Sequence, residues 1–423
     1  MLTAVVGVNW GDEGKGRMVD LLCSDYDVVI RYQGGNNAGH TVVNERGKFI
    51  LNLLPSGILR PETVNVMGPG MVIDLEHLFG EVKTLKDRGV EISPEHLKIS
   101  DKAAVCMPYH KLLDNLEEDR MGDKNAGSTR RGIAPAYSDK YMRKAIKVGD
   151  LLYPETLKGK VEELVEWKNL LVHDGYGCEK IDAGEMLAWL QTYGMPFKEY
   201  ICDTTLYLNE QIDQGKSVMF EAQLGALRDI DFGIWPFTSS SPTIAAYAPI
   251  GAGVPARRLD TTLGIMKAYS SSVGGGPFVC EFFGEEGDQL REAGVEYGAA
   301  TGRARRVGGF DIVASRYGVQ MQGATELALT KLDILSGMSR IPVCVAYRIN
   351  GKETMDFPCV DELLQAEPVY EYVEGFSEDI SGCRTFDALP KAAQDYVRYV
   401  EKAVGCRVKY ISVGPEREAY ITI

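Results

Sequence analysis

Short apolar runs that end in glycine-rich turns set the rhythm of this chain. Thr3-Ala4-Val5-Val6-Gly7 lacks polar alternation, the pattern of a strand covered on both faces. It runs into Val8-Asn9-Trp10-Gly11-Asp12-Glu13-Gly14-Lys15-Gly16-Arg17, and then into Met18-Val19-Asp20-Leu21-Leu22, which reads as the opening of a helix. Asp27-Val28-Val29-Ile30-Arg31-Tyr32 repeats the strand pattern and leads into Gln33-Gly34-Gly35-Asn36-Asn37-Ala38-Gly39-His40-Thr41. Further strands are predicted at Phe49–Leu53, Val64–Met67, Ser217–Glu221, Glu326–Asp333 and Val408–Ser412. Asp74 to Gly89 predicts an amphipathic helix with an aspartate cap and a terminal glycine, and Leu389 to Val404 a surface helix ended by Gly405. Residues of about 108–215 read as mostly helical, with apolar positions recurring at Leu157, Val161, Leu164 and Val165 and again at Leu206, Leu208 and Ile212.

These patterns predict an α/β fold: a large, mostly parallel central sheet with flanking helices, and a helical subdomain inserted at about 101–215 within a single unit of residues 1–423. Both glycine-rich loops follow strands, so they are expected to meet at the carboxyl edge of the sheet, where open α/β sheets bind ligands.

Composition narrows the partners. A net charge of -14 over 423 residues argues against a nucleic-acid partner. Nine scattered cysteines without a C-x-x-C pair suggest reduced thiols and a cytoplasmic location. No apolar run reaches membrane-spanning length, and the chain enters its first strand at once, so neither a membrane partner nor a signal peptide is expected.

The first loop has the layout of a phosphate cradle, with glycines that let backbone approach an anion, a helix N-terminus, and Lys15 as a point charge. It departs from the usual P-loop. Asn9 stands where the first glycine is usual, and Gly16 where a magnesium-binding Ser or Thr is usual. It carries an acid instead, Asp12, which is unfavourable beside phosphate unless it binds a metal or moves a proton. His40, one of five histidines, sits among small residues that leave room for a ligand, so a catalytic role is expected for it. Ala126 to Tyr137 mixes hydroxyls, arginines and glycine, suited to a phosphate or equally to a solvated loop. The run Thr238-Ser239-Ser240-Ser241 either lines a polar pocket or forms a turn, and Gly274-Gly275-Gly276-Pro277 is a further irregular loop. Arg303, Arg305 and Arg306 crowd together ahead of a helix near Asp311–Met321, whose positive dipole end disfavours added cations; a bound anion would relieve the conflict. Thr330-Lys331-Leu332-Asp333 closes a buried strand in a form suited to guanine. One carboxylate can accept from both N1–H and the 2-amino group, which adenine lacks, and Lys331 would lie over or beside the base.

Trp10 to Gly16 followed by Gln33 to Thr41 resembles the adenylosuccinate synthetase family. The similarity continues through Arg131-Gly132-Ile133, Pro135-Ala136-Tyr137, Asp139-Lys140, Thr301-Gly302-Arg303, Thr330 to Asp333 and Ser412-Val413-Gly414, across essentially the whole chain. The resemblance implies a GTP-dependent ligase of AMP synthesis that joins L-aspartate to IMP through 6-phosphoryl-IMP, giving adenylosuccinate, GDP and phosphate, with Mg2+ as cofactor. It implies that Asp12 takes the N1 proton of IMP and, with the Gly39 carbonyl, binds Mg2+. His40 and Lys15 would stabilise the transferring phosphoryl group. IMP would be held by Asp12, Glu13, Gly14, Lys15, Asn37, Ala38, Gly39, His40, Thr129, Gln223, Thr238 and Arg303, and by Arg143 reaching the partner subunit's IMP in a homodimer. The aspartate substrate would take Ala299, Ala300, Thr301, Gly302, Arg303 and Arg305. GTP would take Gly11 through Arg17, Gly39, His40, Thr41, Arg305, Lys331, Leu332, Asp333, Ser412, Val413 and Gly414.

The chain departs from the family pattern in four places. Phe-Glu-Gly-Ala-Gln-Gly becomes Phe220-Glu221-Ala222-Gln223-Leu224-Gly225, which displaces the glutamine by one position. Arg130 stands where glycine is common, Ala134 replaces a glycine, and Ala304 replaces an arginine. Two alternatives follow: a related ligase that uses a guanylate to make a diaminopurine precursor, and a non-catalytic GTP-binding regulator. The retained Asp12 favours IMP over the first, and Asp12 with His40 has no purpose in the second.

Overall fold

The computed structural model describes residues 1–44, 47–122, 127–298 and 302–423. Ten strands form the central sheet: β1 (Leu2–Gly7), β2 (Val28–Arg31), β3 (Val64–Met67), β4 (Leu97–Ser100), β5 (Ile201–Cys202), β6 (Val218–Gly225), β7 (Thr261–Lys267), β8 (Glu326–Thr330), β9 (Val408–Ser412) and β10 (Tyr420–Thr422). Their order across the sheet is β10-β9-β8-β7-β1-β6-β2-β3-β4-β5. Neighbours run parallel except for β10, which returns antiparallel on β9 at the edge. The predicted α/β class is therefore the observed one.

Every residue of β1 is buried, which is why its sequence shows no alternation. β6 lies between β1 and β2, so the segments that leave the carboxyl ends of these three strands emerge side by side. β6 itself is irregular at that end. Its register on β1 slips between Val5 and Gly7, and Leu224 takes a left-handed φ of 60°. Strand β7 was not predicted from the sequence, because Gly264 breaks its apolar run. A side chain at Gly264 would come within 2.8 Å of Val8 and 2.9 Å of Leu327, so the glycine lets β7 pack into the sheet layer.

Between β4 and β5 the chain leaves the sheet for the helices Pro108–Met121, Ile133–Met142, Pro154–Val172 and Ala183–Tyr193, and then returns to pair Ile201 with Ile99. Leu157, Val161, Leu164 and Val165 bury one face of the longest of these helices in a shared core with Leu75, Leu78 and Val82. On the other flank, the helices Ile312–Gln322 and Lys391–Val404 pack on β8 and β9. A second, small sheet is built on the antiparallel pair Met338–Ile349 and Glu367–Phe376, which the sequence pattern did not predict. Among the described residues no helix is long and apolar enough to cross a membrane, and the nine cysteines are free.

Candidate active site

The cradle is organised by a buried carboxylate. Glu13 accepts from the backbone N–H of Asn9 (3.1 Å) and Gly11 (2.8 Å) through Oε1, and from Lys15 Nζ (2.6 Å) through Oε2. The loop is thus wrapped around one side chain that also aims the lysine. Gly14, at φ 97°, starts the helix Lys15–Leu22 directly at the lysine, three residues earlier than predicted from the apolar run. The glycine after the lysine also has a cause. A side chain at Gly16 would lie 2.5 Å from His40 Cβ, so the histidine occupies the room that a Ser or Thr would need.

His40 heads the short strand His40–Asn44, paired with Gly47–Leu51 outside the main sheet, and is 6% exposed. Its Nδ1 lies 2.5 Å from Glu221 Oε1, and Glu221 also accepts from the Ser56 N–H (2.7 Å) and hydroxyl (2.6 Å). Burial pushes the imidazole down, while Glu221 opposes that shift. Burial would raise Glu221, but His40, Arg31 and Ser56 hold it below the usual range, so we assign an ionised carboxylate. A carboxylate on Nδ1 places the ring proton there and leaves Nε2 for a ligand. Glu221 was not among the residues predicted for the site. Its signal was a lone acid at the end of the apolar run Val218-Met219-Phe220.

Asp12, at φ 59°, presents a part-exposed carboxylate whose Oδ2 lies 3.1 Å from Arg305 Nε. Arg305 Nη1 bonds Glu296 (2.8 Å), and the same buried Glu296 takes Lys267 (2.8 Å) and Lys331 (2.7 Å). Burial would raise Glu296, yet these three cations hold it well below the usual carboxylate range. Two members of the arginine cluster also have partners within the chain. Arg305 pairs with Asp12 and Glu296, and Arg306 with Glu281. Asp311 moreover caps the following helix by accepting from Ala314 N–H.

Asp333 sits in the turn Leu332–Leu335 after β8, and among the described residues its buried Oδ1 has no hydrogen-bond partner. Burial raises its carboxyl above the ordinary value. Arg17 donates to Ser412 Oγ (2.6 Å) and to the carbonyls of Gly414, Glu416 and Ala419. The Lys331 ammonium is held within the chain. It bonds Glu296 and the Gly294 carbonyl (2.6 Å), which leaves only its aliphatic stem for stacking.

The remaining predicted residues are less enclosed. Asn37 accepts from Gly35 N–H (3.2 Å), and the Ala38 carbonyl accepts from Asn52 (2.9 Å), which fixes the turn before Gly39. Thr129 and Arg303 are exposed, Thr41 and Thr238 half-buried, and Val413 fully buried. Gly302, at φ 66°, is exposed; Ala299, Ala300 and Thr301 lie outside the described residues. Arg130 is turned away to Asp119 (2.7 Å) on the helix Pro108–Met121, and Ala134 is exposed. Arg143 ends the helix Ile133–Met142 at φ 62°, exposed beside Tyr141 and Met142. Gln223 is buried, with Nε2 committed to the Gly35 carbonyl (2.6 Å) and Oε1 unpartnered, and Leu224 lies against Gly11 instead. Among the described residues no three His, Cys, Asp or Glu side chains cluster as a metal site.

A lysine-bearing phosphate cradle that carries its own acid, with a carboxylate-backed histidine packed on it, belongs to an enzyme of phosphoryl transfer rather than to a simple nucleotide switch. The comparisons make this specific. The family model for adenylosuccinate synthetase matches residues 4–421. The adenylosuccinate synthetase of Caldanaerobacter subterraneus subsp. tengcongensis is 45% identical over 423 residues, covering 100% of this chain and 99% of that one. The structure of the fully ligated adenylosuccinate synthetase from Plasmodium falciparum superposes with a TM-score of 0.94 at 34% identity, covering 100% and 99% of the two chains. The succinoaminodeoxyadenylate synthetase of cyanophage S-2L, bound to dGMP and dATP, aligns at a TM-score of 0.62 and 18% identity over 100% and 95%, a likeness of fold alone. The chain belongs to the adenylosuccinate synthetase family, and it is a GTP-dependent ligase of purine biosynthesis.

Proposed function

We propose that this protein joins L-aspartate to IMP at the expense of GTP, with Asp12 and His40 as its central groups. The observation that carries the reading is the side-by-side placement of Asp12 and Lys15 in one loop, with His40 packed on Gly16. O6 of the hypoxanthine is a poor nucleophile until N1 loses its proton. Asp12, half-open to solvent and on the phosphate loop, is the base placed to take it. O6 then attacks the γ-phosphorus of GTP and GDP leaves. Lys15 and the Nε2 side of His40 offset the charge that grows on the phosphoryl oxygens. The aspartate amine next attacks C6 and expels phosphate.

Asp12 and the Gly39 carbonyl would supply hard oxygens to Mg2+, and the nucleotide phosphates would complete the shell of an ion that is usually held by one or two carboxylates. When bound, it would screen the phosphate charges. Asn37, Thr129, Gln223, Thr238 and Arg303 would hold IMP, and Gly302, Arg303 and Arg305 would receive aspartate. Arg143, exposed beside Tyr141 and Met142, would complete the partner's IMP site in a homodimer. Residues 1–423 would work as one unit with the helices of 101–215 as an excursion, because both chain ends contribute strands to the central sheet. The unpaired cysteines suit a cytoplasmic setting.

The test is phosphate release from GTP with Mg2+, adding IMP and L-aspartate singly and together, with the product identified by mass. Release that needs both and yields adenylosuccinate supports the reading. Release that answers to a guanylate in place of IMP, or to neither purine, sinks it.

Asp333 gives a second expectation. Its unpartnered Oδ1 would accept from guanine, and Asp333→Asn puts an amide where two N–H groups arrive. The kcat/KM for GTP is expected to fall about 100-fold or more, with activity recovered on XTP, whose 2-oxo group accepts from the amide. Unchanged GTP use by Asp333→Asn would remove this residue from the base site.

A further inference from the structure

We infer that Arg228 is a positioning residue for the IMP and aspartate pocket: with Arg306 it fixes Ser272–Gly276 as one wall of that pocket. The inference rests on the reading above. Arg228 is 7% exposed and lies in the turn Ala226–Arg228 directly after β6. Among the described residues no carboxylate accepts a hydrogen bond from it. Nη1 donates to the Phe237 carbonyl and to Gly275 O (3.3 Å), and Nη2 to Ser272 Oγ (2.9 Å) and Val273 O (2.6 Å). Arg306 grips the far end, donating to Gly276 O (2.7 Å) while it pairs with Glu281 and lies 5.3 Å over the Phe278 ring.

A buried guanidinium whose hydrogen-bond acceptors among the described residues are all neutral, with the Asp12 carboxylate as a charge near it, is a costly way to fill space. What it supplies is a planar fork that holds several acceptors at once. The segment it holds includes Gly274 and Gly276 at φ 89° and 95°, in a run of three glycines that is among the most expensive kinds of backbone to order. Two arginines hold it through contacts within the chain, so that cost does not fall on binding.

The wall stands beside the chemistry. Leu227 N–H bonds the Asn9 carbonyl (3.0 Å), and Phe278 packs edge-on to Trp10 at 4.8 Å, so the clamp is fastened to the loop that carries Asp12. On its other side it meets the loop that begins at Gly127. A side chain at Gly127 would start 3.4 Å from Gly275 N and 3.9 Å from Arg303 Nη1. The loop after β1, the segment that begins at Gly127 and Arg303 thus share this wall, whereas Ser412 is held by Arg17 of the helix Lys15–Leu22.

Arg228→Met and Arg228→Lys in the full chain test it, with KM measured separately for IMP, L-aspartate and GTP, and amide hydrogen exchange followed over 272–276. Arg228→Met is expected to raise KM for IMP and aspartate about tenfold or more, with KM for GTP within about twofold and kcat within about threefold. Exchange in 272–276 should quicken, and lysine should recover part of both effects. Unchanged KM values for IMP and aspartate overturn the proposal. So does an equal loss on GTP and on kcat with a lowered Tm, which would make Arg228 a general stabiliser. Should the methionine variant not fold, wild-type KM values and wild-type loop protection in Arg228→Lys overturn it equally. Failure of the wild-type protein to make adenylosuccinate would instead strike the proposed function, and the exchange contrast would still judge the clamp.

Discussion

Asp12→Asn is expected to reduce turnover by about 1,000-fold or more while leaving the fold and nucleotide binding intact, the scale for removing a well-placed general base. The amide keeps the size of the side chain but cannot take the N1 proton, and it is a weaker partner for a cation. Stability should barely change. Asp12 is part-exposed, and the ion pair it forms with Arg305 is of the kind worth about 0.2–1 kcal/mol. Arg305 keeps its bond to Glu296 in the variant, so the cationic network behind the site survives. Single-turnover phosphate release from GTP with IMP present reads the effect on the first chemical step, and thermal melting reads the fold. A variant that retained near-normal release would remove Asp12 as the base. A variant that lost its melting transition would show that the carboxylate holds the loop together, a task the structure gives to Glu13 instead.

The contrast between Asp12 and Glu13 also shows what a reader of the chain can and cannot see. Adjacent acids in one loop look alike in sequence, yet one faces outward and the other is buried under three donors. The central strands were legible because burial on both faces leaves an unmistakable mark, as in Leu2–Gly7 and Val28–Arg31. The strand Thr261–Lys267 was not, since Gly264 reads as a turn until Val8 and Leu327 are placed against it. The loops around Asp12, Lys15 and His40 stood out as candidates, because an acid and a histidine among glycines have few structural uses, and the structure packs His40 on Gly16. Glu221 and Arg228 were hidden by the opposite circumstance. Each sits in or next to an apolar strand, and its purpose lies in a residue far along the chain: His40 lies 181 positions from Glu221, and Val273 lies 45 from Arg228. The partners of Arg305 and Arg306 were hidden for the same reason, since Asp12, Glu296 and Glu281 come from other segments.

The second large effect is expected at His40 and its carboxylate together. On the proposed mechanism Nε2 must carry a proton to donate to the transferring phosphoryl oxygens, and Nδ1 keeps its own proton on Glu221, so the active ring is the imidazolium. Burial works against that charge and Glu221 supports it. His40→Asn removes the donor and should lower kcat by about 100-fold or more, on the scale of a lost oxyanion donor. Glu221→Gln tests the support separately. Without the negative charge the imidazole pKa falls further, so at a given pH less of the enzyme holds the protonated ring. The alkaline limb of kcat should therefore move to lower pH. Activity should be recovered in part on acidification, which His40→Asn cannot show. The Glu221→Gln amide oxygen can still accept from the ring and from the Ser56 hydroxyl, so a loss of activity with an unmoved pH limb would mean that Glu221 orients the histidine without supporting its charge. A pH profile equal to wild type in both height and position would mean that His40 acts as a neutral ring, and that the growing phosphoryl charge is met by Lys15 instead.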